Sequence, residues 1–256
     1  MAVKTKNLLV NMSNLSKVFP NGTIAVKDVN LEITEGEFFC FVGPSGCGKS
    51  TIFKMITGLE NYTDGEIEIF GKSANEARKQ NEVAFVFQDH TLLPWLTVID
   101  NVALPLQLRG VSKQERYKEA ERVLELVGLP QSKEMLPRQL SGGMKMRVSI
   151  ARALVTRPRL LLMDEPFGAL DEITRQSLQK ELLNIWQKDS SMTVLFITHN
   201  VFEAVYLSSK VVVMTPGPGK ISANIDVPFS YPREDGFRTT PEFGDLIGEV
   251  SKVLDH

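Results

Sequence analysis

Residues 43–51 read GPSGCGKST and stand between the apolar run FFCFV (38–42) and the helical pattern of TIFKMITGL (51–59). Gly43, Gly46 and Gly48 let the backbone curl until successive N–H groups point inward, and the helix that follows presents its positive end to the same spot. A polyphosphate fits such a cradle, formed by Gly43, Pro44, Ser45, Gly46, Cys47, Gly48 and Thr51. Lys49 reaches the β and γ phosphates, and the Ser50 hydroxyl is placed to hold Mg²⁺. Because the Cys47 thiol belongs to this loop, an alkylating reagent is expected to reach it. The strand, loop and helix together predict an α/β fold with a P-loop core.

A metal held by Ser50 needs a second protein ligand, and the end of a neighbouring buried strand is the usual source. LLLMD supplies Asp164. Glu165, next in the chain, can face the γ phosphate and orient or deprotonate an attacking water. The run VLFIT leads to His199, and VAFVF leads to Gln88. In open α/β sheets ligands bind at the C-terminal strand edge, so Lys49, Gln88, Asp164, Glu165 and His199 are expected to converge there.

The remaining pattern divides the chain. Val29, Leu31 and Ile33 alternate with Asn30, Glu32 and Thr34, and Ile67 and Ile69 repeat the period after the turn Asp64-Gly65. These predict an N-terminal antiparallel β subdomain with one wet face. FFCFV, VAFVF, LLLM (160–163), VLFI (194–197) and VVVM (211–214) are continuous apolar runs, as expected of a mainly parallel sheet covered on both faces. Between VAFVF and LLLM the chain reads as helix or loop. Ser112 and Glu115 form a capping box for a helix that stops at Gly128, and a further helix is expected over 172–188. The expected organisation is one domain: an α/β core over 8–89 and 156–215, a helical subdomain inserted at about 90–155, and a tail over 216–256. That tail holds prolines 216, 218, 228, 232 and 241 and is expected to run mostly extended, closing with a short helix near 242–254.

Composition limits the function. Apolar residues make up 43% of the 256 and charged residues 23%, ordinary for a globular chain. Lys and Arg number 29 against 31 Asp and Glu, and the net charge of -2 provides no basic footprint for nucleic acid. Cys40 and Cys47 have no partners at metal-ligand spacing and are read as reduced thiols. The stretch MAVKTKNLLVNMSNLSK lacks the long apolar core of a signal peptide, and no run approaches the ~18 uninterrupted apolar residues of a membrane span.

A cradle alone also suits a GTPase, a kinase or a helicase. With QLSGGM (139–144) between the cradle and LLLMDE, and with Lys49, Gln88, Asp164-Glu165 and His199 in this order, the chain resembles the nucleotide-binding subunit of an ATP-binding cassette (ABC) transporter over about residues 8–215. LLPWLTVIDNVALPL, LSGGMKMRVSIARAL and DEPFGALDEITR resemble the ATPases of importers for nitrate, sulfonate, taurine or bicarbonate.

The resemblance implies an ATPase using ATP and Mg²⁺. Phe19 matches the aromatic that stacks on adenine, and Gln88 the glutamine that senses Mg²⁺ and relays the nucleotide state. Ser141, with the backbone of Gly142 and Gly143, matches the segment that caps the γ phosphate held by a second copy, paired head to tail. Asp171 matches the aspartate that contacts the opposite subunit. Gly168 stands where a serine is common, and Met144 replaces the commoner glutamine of the signature. The implied partners are a second ABC ATPase, identical or a close paralogue, integral membrane permease subunits and, indirectly, a solute-binding protein. The implied location is peripheral, on the cytoplasmic face of the inner membrane. An ATPase of another small-solute transporter or exporter, or a non-transport ABC ATPase, is the alternative.

Overall fold

The computed structural model describes residues 7–80, 82–189 and 191–255; the first six residues of the stretch read above for a leader lie outside these. The chain opens with β1 (Leu8–Val18) and β2 (Ile24–Thr34), an antiparallel pair. Along β2 the buried residues are Val26, Val29, Leu31 and Ile33. The extra residue between Val26 and Val29 is a bulge, with Asp28 at φ 52° and its N–H donated to Ser16 Oγ at 3.0 Å. β3 (Phe38–Val42) then enters the phosphate loop and α1 (Lys49–Ile56). β4 (Asp64–Ile69) pairs with β1, and β5 (Lys72–Ser73) pairs with β4, completing a four-stranded sheet in the order β2-β1-β4-β5.

After α2 (Ala74–Lys79) and β6 (Val83–Val86) come α3 (Val98–Leu108), α4 (Lys113–Leu126) and α5 (Gly142–Leu154). Each begins where a side-chain oxygen accepts a free backbone N–H: Thr97 from Asp100, Ser112 from Glu115 and Ser141 from Met144. Gly128, at φ 68°, follows the end of α4. β7 (Leu160–Asp164), α6 (Glu172–Lys188), β8 (Thr193–Ile197), α7 (Val201–Leu207) and β9 (Lys210–Met214) return the chain to the second sheet.

That sheet runs β10-β9-β3-β8-β7-β6, where β10 is Ile221–Asp226. Every pairing is parallel except β9 with β10. β3 and β8 are wholly buried, which explains their continuous apolar sequence. β6 departs from the expectation of burial on both faces: Val83, Ala84 and Phe85 are half-buried because this strand forms the edge of the sheet. It also stops two residues short of Gln88. Alternate side chains of β3 serve two cores. Phe38, Cys40 and Val42 join a large cluster with α3 to α7, while Phe39 and Phe41 join one with β1, β2 and α1.

Within residues 216–255 the helix expected near 242–254 is present, and part of the extended stretch before it is a strand of the sheet. Ile221, Ala223 and Ile225 alternate with exposed Ser222, Asn224 and Asp226, so β10 can cover the edge of β9. A 3-10 turn over Asp235–Thr239 then leads to α8 (Pro241–Leu254), which buries Phe243, Leu246 and Val250 in the larger core. Among the described residues no helix is long and apolar enough to cross a membrane.

Candidate active site

The C-terminal ends of β3, β7 and β8 meet beside the phosphate loop, at a cleft of about 740 Å³. Residues 45–51 line it together with Phe19, Gln88 and Glu165. Two glycines are required by space. At Gly48, φ is +95° and a Cβ would lie 2.7 Å from Ala25 O; at Gly43 a Cβ would lie 2.8 Å from Met214 O.

Lys49 is buried, and its Nζ donates to Gly43 O at 2.8 Å and Pro44 O at 2.9 Å. The carbonyls of the loop thus hold the ammonium at the lip of the cradle. Ser50 Oγ, one residue on, donates to Asp164 Oδ1 at 3.0 Å. Burial pushes the Asp164 carboxyl above its ordinary range, opposed by the Ser50 hydrogen bond, while the adjacent Glu165 raises it further and Lys54 and Lys49 lower it.

Glu165 has φ 44°, unusual for a residue with a Cβ. Its N–H donates to Ile197 O at 3.1 Å, and its own carbonyl accepts from Gly168 N at 3.2 Å. The turn so formed sets Glu165 Oε2 3.2 Å from His199 Nδ1. Gln88 is exposed at the same cleft. Phe19 lies on the far wall, in a turn closed by Phe19 N–H to Thr23 O and Gly22 N–H to Phe19 O, both 2.9 Å, with Lys17 Nζ 5.2 Å from the ring centroid.

Cys47 corrects one expectation. Its backbone lines the cleft, but the side chain is only 1% exposed and packs into the smaller core, with Lys49 Nζ 3.6 Å from the sulfur. The thiol points away from the surface that an alkylating reagent would reach.

Ser141, Gly142 and Gly143 do not line this cleft. Ser141 caps α5, and Asp171 caps α6 by accepting Thr174 N–H at 2.9 Å, a bond that holds its carboxyl low. The two helix starts are neighbours: a Cβ on Gly143 would meet Thr174 Cγ2 at 2.7 Å, and one on Gly142 would meet Leu170 Cδ2 at 3.6 Å. Ser141, Gly142 and Asp171 are exposed together.

Sequence reading passed over the residues that hold the loop after Gln88. Asn101 is fully buried; its amide donates to the carbonyls of Leu93, Leu96 and Thr97 and accepts Leu93 N–H at 2.8 Å. Ser149 Oγ donates to His90 O at 2.7 Å, and Arg152 donates to the carbonyls of His90 and Thr91. The asparagine within the apolar pattern VIDNVAL is a usable signal, because a polar group there must find partners. Ser149 and Arg152 meet their partners across about sixty positions of chain, and nothing local marks them.

The family described as ABC transporter matches residues 26–168. The aliphatic sulfonates import ATP-binding protein of Bacillus thuringiensis subsp. konkukian is 41% identical, covering 97% of this chain and 97% of its own. The nitrate import ATP-binding protein of Synechococcus elongatus is 45% identical, covering 94% of this chain and 89% of its own. Among solved structures, the dimeric post-hydrolysis state of an ATP-binding cassette bound to ADP and Pi is 33% identical with a TM-score of 0.77, over 87% of this chain and all of the other. The chain belongs to the ABC transporter family. Its fold is that of a P-loop ABC ATPase, and its nucleotide is ATP.

Proposed function

We propose that this chain is the ATP-hydrolysing subunit of a membrane importer for a small anion, of the sulfonate, nitrate or bicarbonate type, and that two ATPases close head to tail around ATP. The observation that carries this reading is the separation of two motifs on one molecule. Lys49, Ser50, Gln88 and Glu165 surround the cleft, whereas Ser141 and Gly142 stand outside it beside Asp171. A second copy, or a close paralogue, would bring its Ser141-Gly142-Gly143 segment over the first copy's cleft, and a two-fold pair contains two such sites.

Within the cleft, the turn of ATP that carries its phosphates lies in the backbone N–H cradle of residues 43–51, and the Phe19 ring offers a face for adenine. Lys49 exchanges its carbonyl partners for β and γ phosphate oxygens, a short movement because the ammonium is already at the loop. Mg²⁺, when bound, would supply positive charge that offsets the charge of the phosphates. Ser50 and Asp164 would hold it: a hydroxyl and a carboxylate already in hydrogen-bond contact are the hard oxygen donors Mg²⁺ selects, and Gln88 at the cleft would offer a further oxygen. The Glu165 carboxylate accepts a proton from the attacking water, and His199, 3.2 Å from it, orients that carboxylate and meets the γ phosphate.

Hydrogen-bond donors around the γ phosphate are satisfied only while it is present, so closure follows ATP and opening follows hydrolysis. The receiver of that motion is a pair of integral membrane permease subunits, fed by a solute-binding protein, with this chain peripheral on the cytoplasmic face of the inner membrane. Trp95 and Leu108, 71% and 80% exposed in the helical region after Gln88, are apolar anchors suited to a short helix of such a subunit.

Glu165→Gln keeps the shape of the site and removes the base. The variant is expected to bind ATP and accumulate as a dimer by light scattering in ATP and Mg²⁺. A variant that remains monomeric under saturating ATP would falsify the composite site.

A further inference from the structure

His199 is 62% exposed, and among the described residues the polar contact of its ring is the approach to Glu165 Oε2. So little packing touches the imidazole that its direction must come from the loop beneath it. That loop is tied by a buried polar chain. Asn200 N–H donates to the Thr198 hydroxyl at 3.0 Å and Glu203 N–H donates to Asn200 Oδ1 at 3.2 Å, so the residues on either side of His199 are tied to each other and to Glu203. Glu203 Oε1 also accepts from Gln179 Nε2 at 2.8 Å, and Gln179 Oε1 accepts from Arg238 Nη2 at 2.6 Å. Glu203 and Gln179 are 5% and 1% exposed, so both are desolvated and each depends on the partners just named.

A carboxylate in this position is costly. Burial pushes the Glu203 carboxyl above its ordinary range, against the Thr198 and Gln179 hydrogen bonds and the positive charge of Arg175. A well-packed apolar residue at the same place would be as stable or more so. What the carboxylate adds is direction, because it ties Gln179 to the first turn of α7, whose cap Asn200 adjoins His199. Arg238 comes from the 3-10 turn of the C-terminal segment, beyond residues 26–168, and its guanidinium lies 3.6 Å from the centroid of the Tyr206 ring on α7. The network therefore begins in the last part of the chain and ends beneath the catalytic face.

We propose that Glu203 is a positioning residue for His199, completed by Arg238: the chain Arg238, Gln179, Glu203, Asn200 fixes the loop that turns the imidazole toward Glu165. The C-terminal segment thereby sets the rate of hydrolysis without touching nucleotide. The inference rests on the reading of His199 as a catalytic residue.

The test is steady-state ATP hydrolysis by the full chain as Arg238→Met, which keeps the apolar stem over Tyr206 and removes the donors. Gln179→Met serves as a second variant that cuts the chain one link further on. The expected result is a kcat lowered about fivefold with KM for ATP little changed, as for residues coupled in one network. In a His199→Ala background the same substitution should leave the residual rate unaltered, since no imidazole remains to be aimed. An unchanged kcat in both variants overturns the proposal. So does an equal loss with and without His199, which is the behaviour of a residue that merely supports the fold. If His199→Ala alone leaves kcat intact, it is the catalytic role of His199 that fails, a result separable from the other two.

Discussion

Gly143→Ala tests the contact that sets the signature helix against its neighbour. A Cβ at position 143 would stand 2.7 Å from Thr174 Cγ2, about 1 Å inside ordinary contact. Thr174 has little room to yield: its χ1 is stiff, and its N–H is held by Asp171 Oδ1 at 2.9 Å. Overpacking of this kind costs roughly 1–3 kcal/mol. Replacing glycine in a helix returns about 0.5–1 kcal/mol. The balance is a loss of about 1 kcal/mol, a fall in Tm of about 2–4 °C for a domain of this size. The starts of α5 and α6 should also move apart, weakening ATP-dependent dimerisation. Differential scanning calorimetry reads the first effect and light scattering with MgATP the second. Adding Thr174→Ser deletes the offending methyl and should restore Tm. If the double variant is no more stable than Gly143→Ala alone, the steric reasoning is wrong; if Tm recovers and dimerisation does not, the new Cβ obstructs the partner's phosphate directly.

Asp164→Asn removes a charge whose pKa is raised by burial and by Glu165, while an amide oxygen can still accept from Ser50. A raised carboxyl pKa means that the folded state holds the proton more tightly. Its contribution to stability is present below about 3.8, the ordinary aspartate value, and is lost as pH rises through the raised folded-state value. At neutral pH the nucleotide-free variant should therefore melt higher than the natural protein while hydrolysis is lost, and equal or lower Tm would contradict the burial argument. For Cys47, a maleimide reagent applied to the folded chain should label neither thiol, because both cysteines are buried, and labelling should appear only on denaturation. Rapid labelling of Cys47 in the native protein would show that the loop opens in solution.

Much of this architecture is readable from short range. Ser112 with Glu115, Gly128, and the alternation Val29, Leu31, Ile33 each carry their structure in neighbouring residues, and the folded chain shows the corresponding cap, helix end and wet-faced strand. The cradle is legible because Gly43, Gly48, Lys49 and Ser50 act at a spacing fixed by one turn. What escapes sequence is decided by partners far along the chain. Phe85 and Leu162 are both apolar strand residues, yet only Leu162 is fully buried, because β6 ends the sheet and β7 lies within it. The bond from Arg238 to Gln179 and that from Arg152 to Thr91 join positions 59 and 61 residues apart. The tail was partly legible: Ile221, Ala223 and Ile225 carry a period of two, which the nearby prolines obscure.

The two-sided burial of β3 bears on how the molecule comes apart. Phe39 and Phe41 belong to one core and Phe38, Cys40 and Val42 to the other, so neither core can melt without stripping partners from the same five residues. Heat or denaturant should therefore meet one cooperative unit despite its several lobes. The strand ends at the phosphate loop, so nucleotide bound there stabilises both cores through mass action, and its release is registered across the whole molecule.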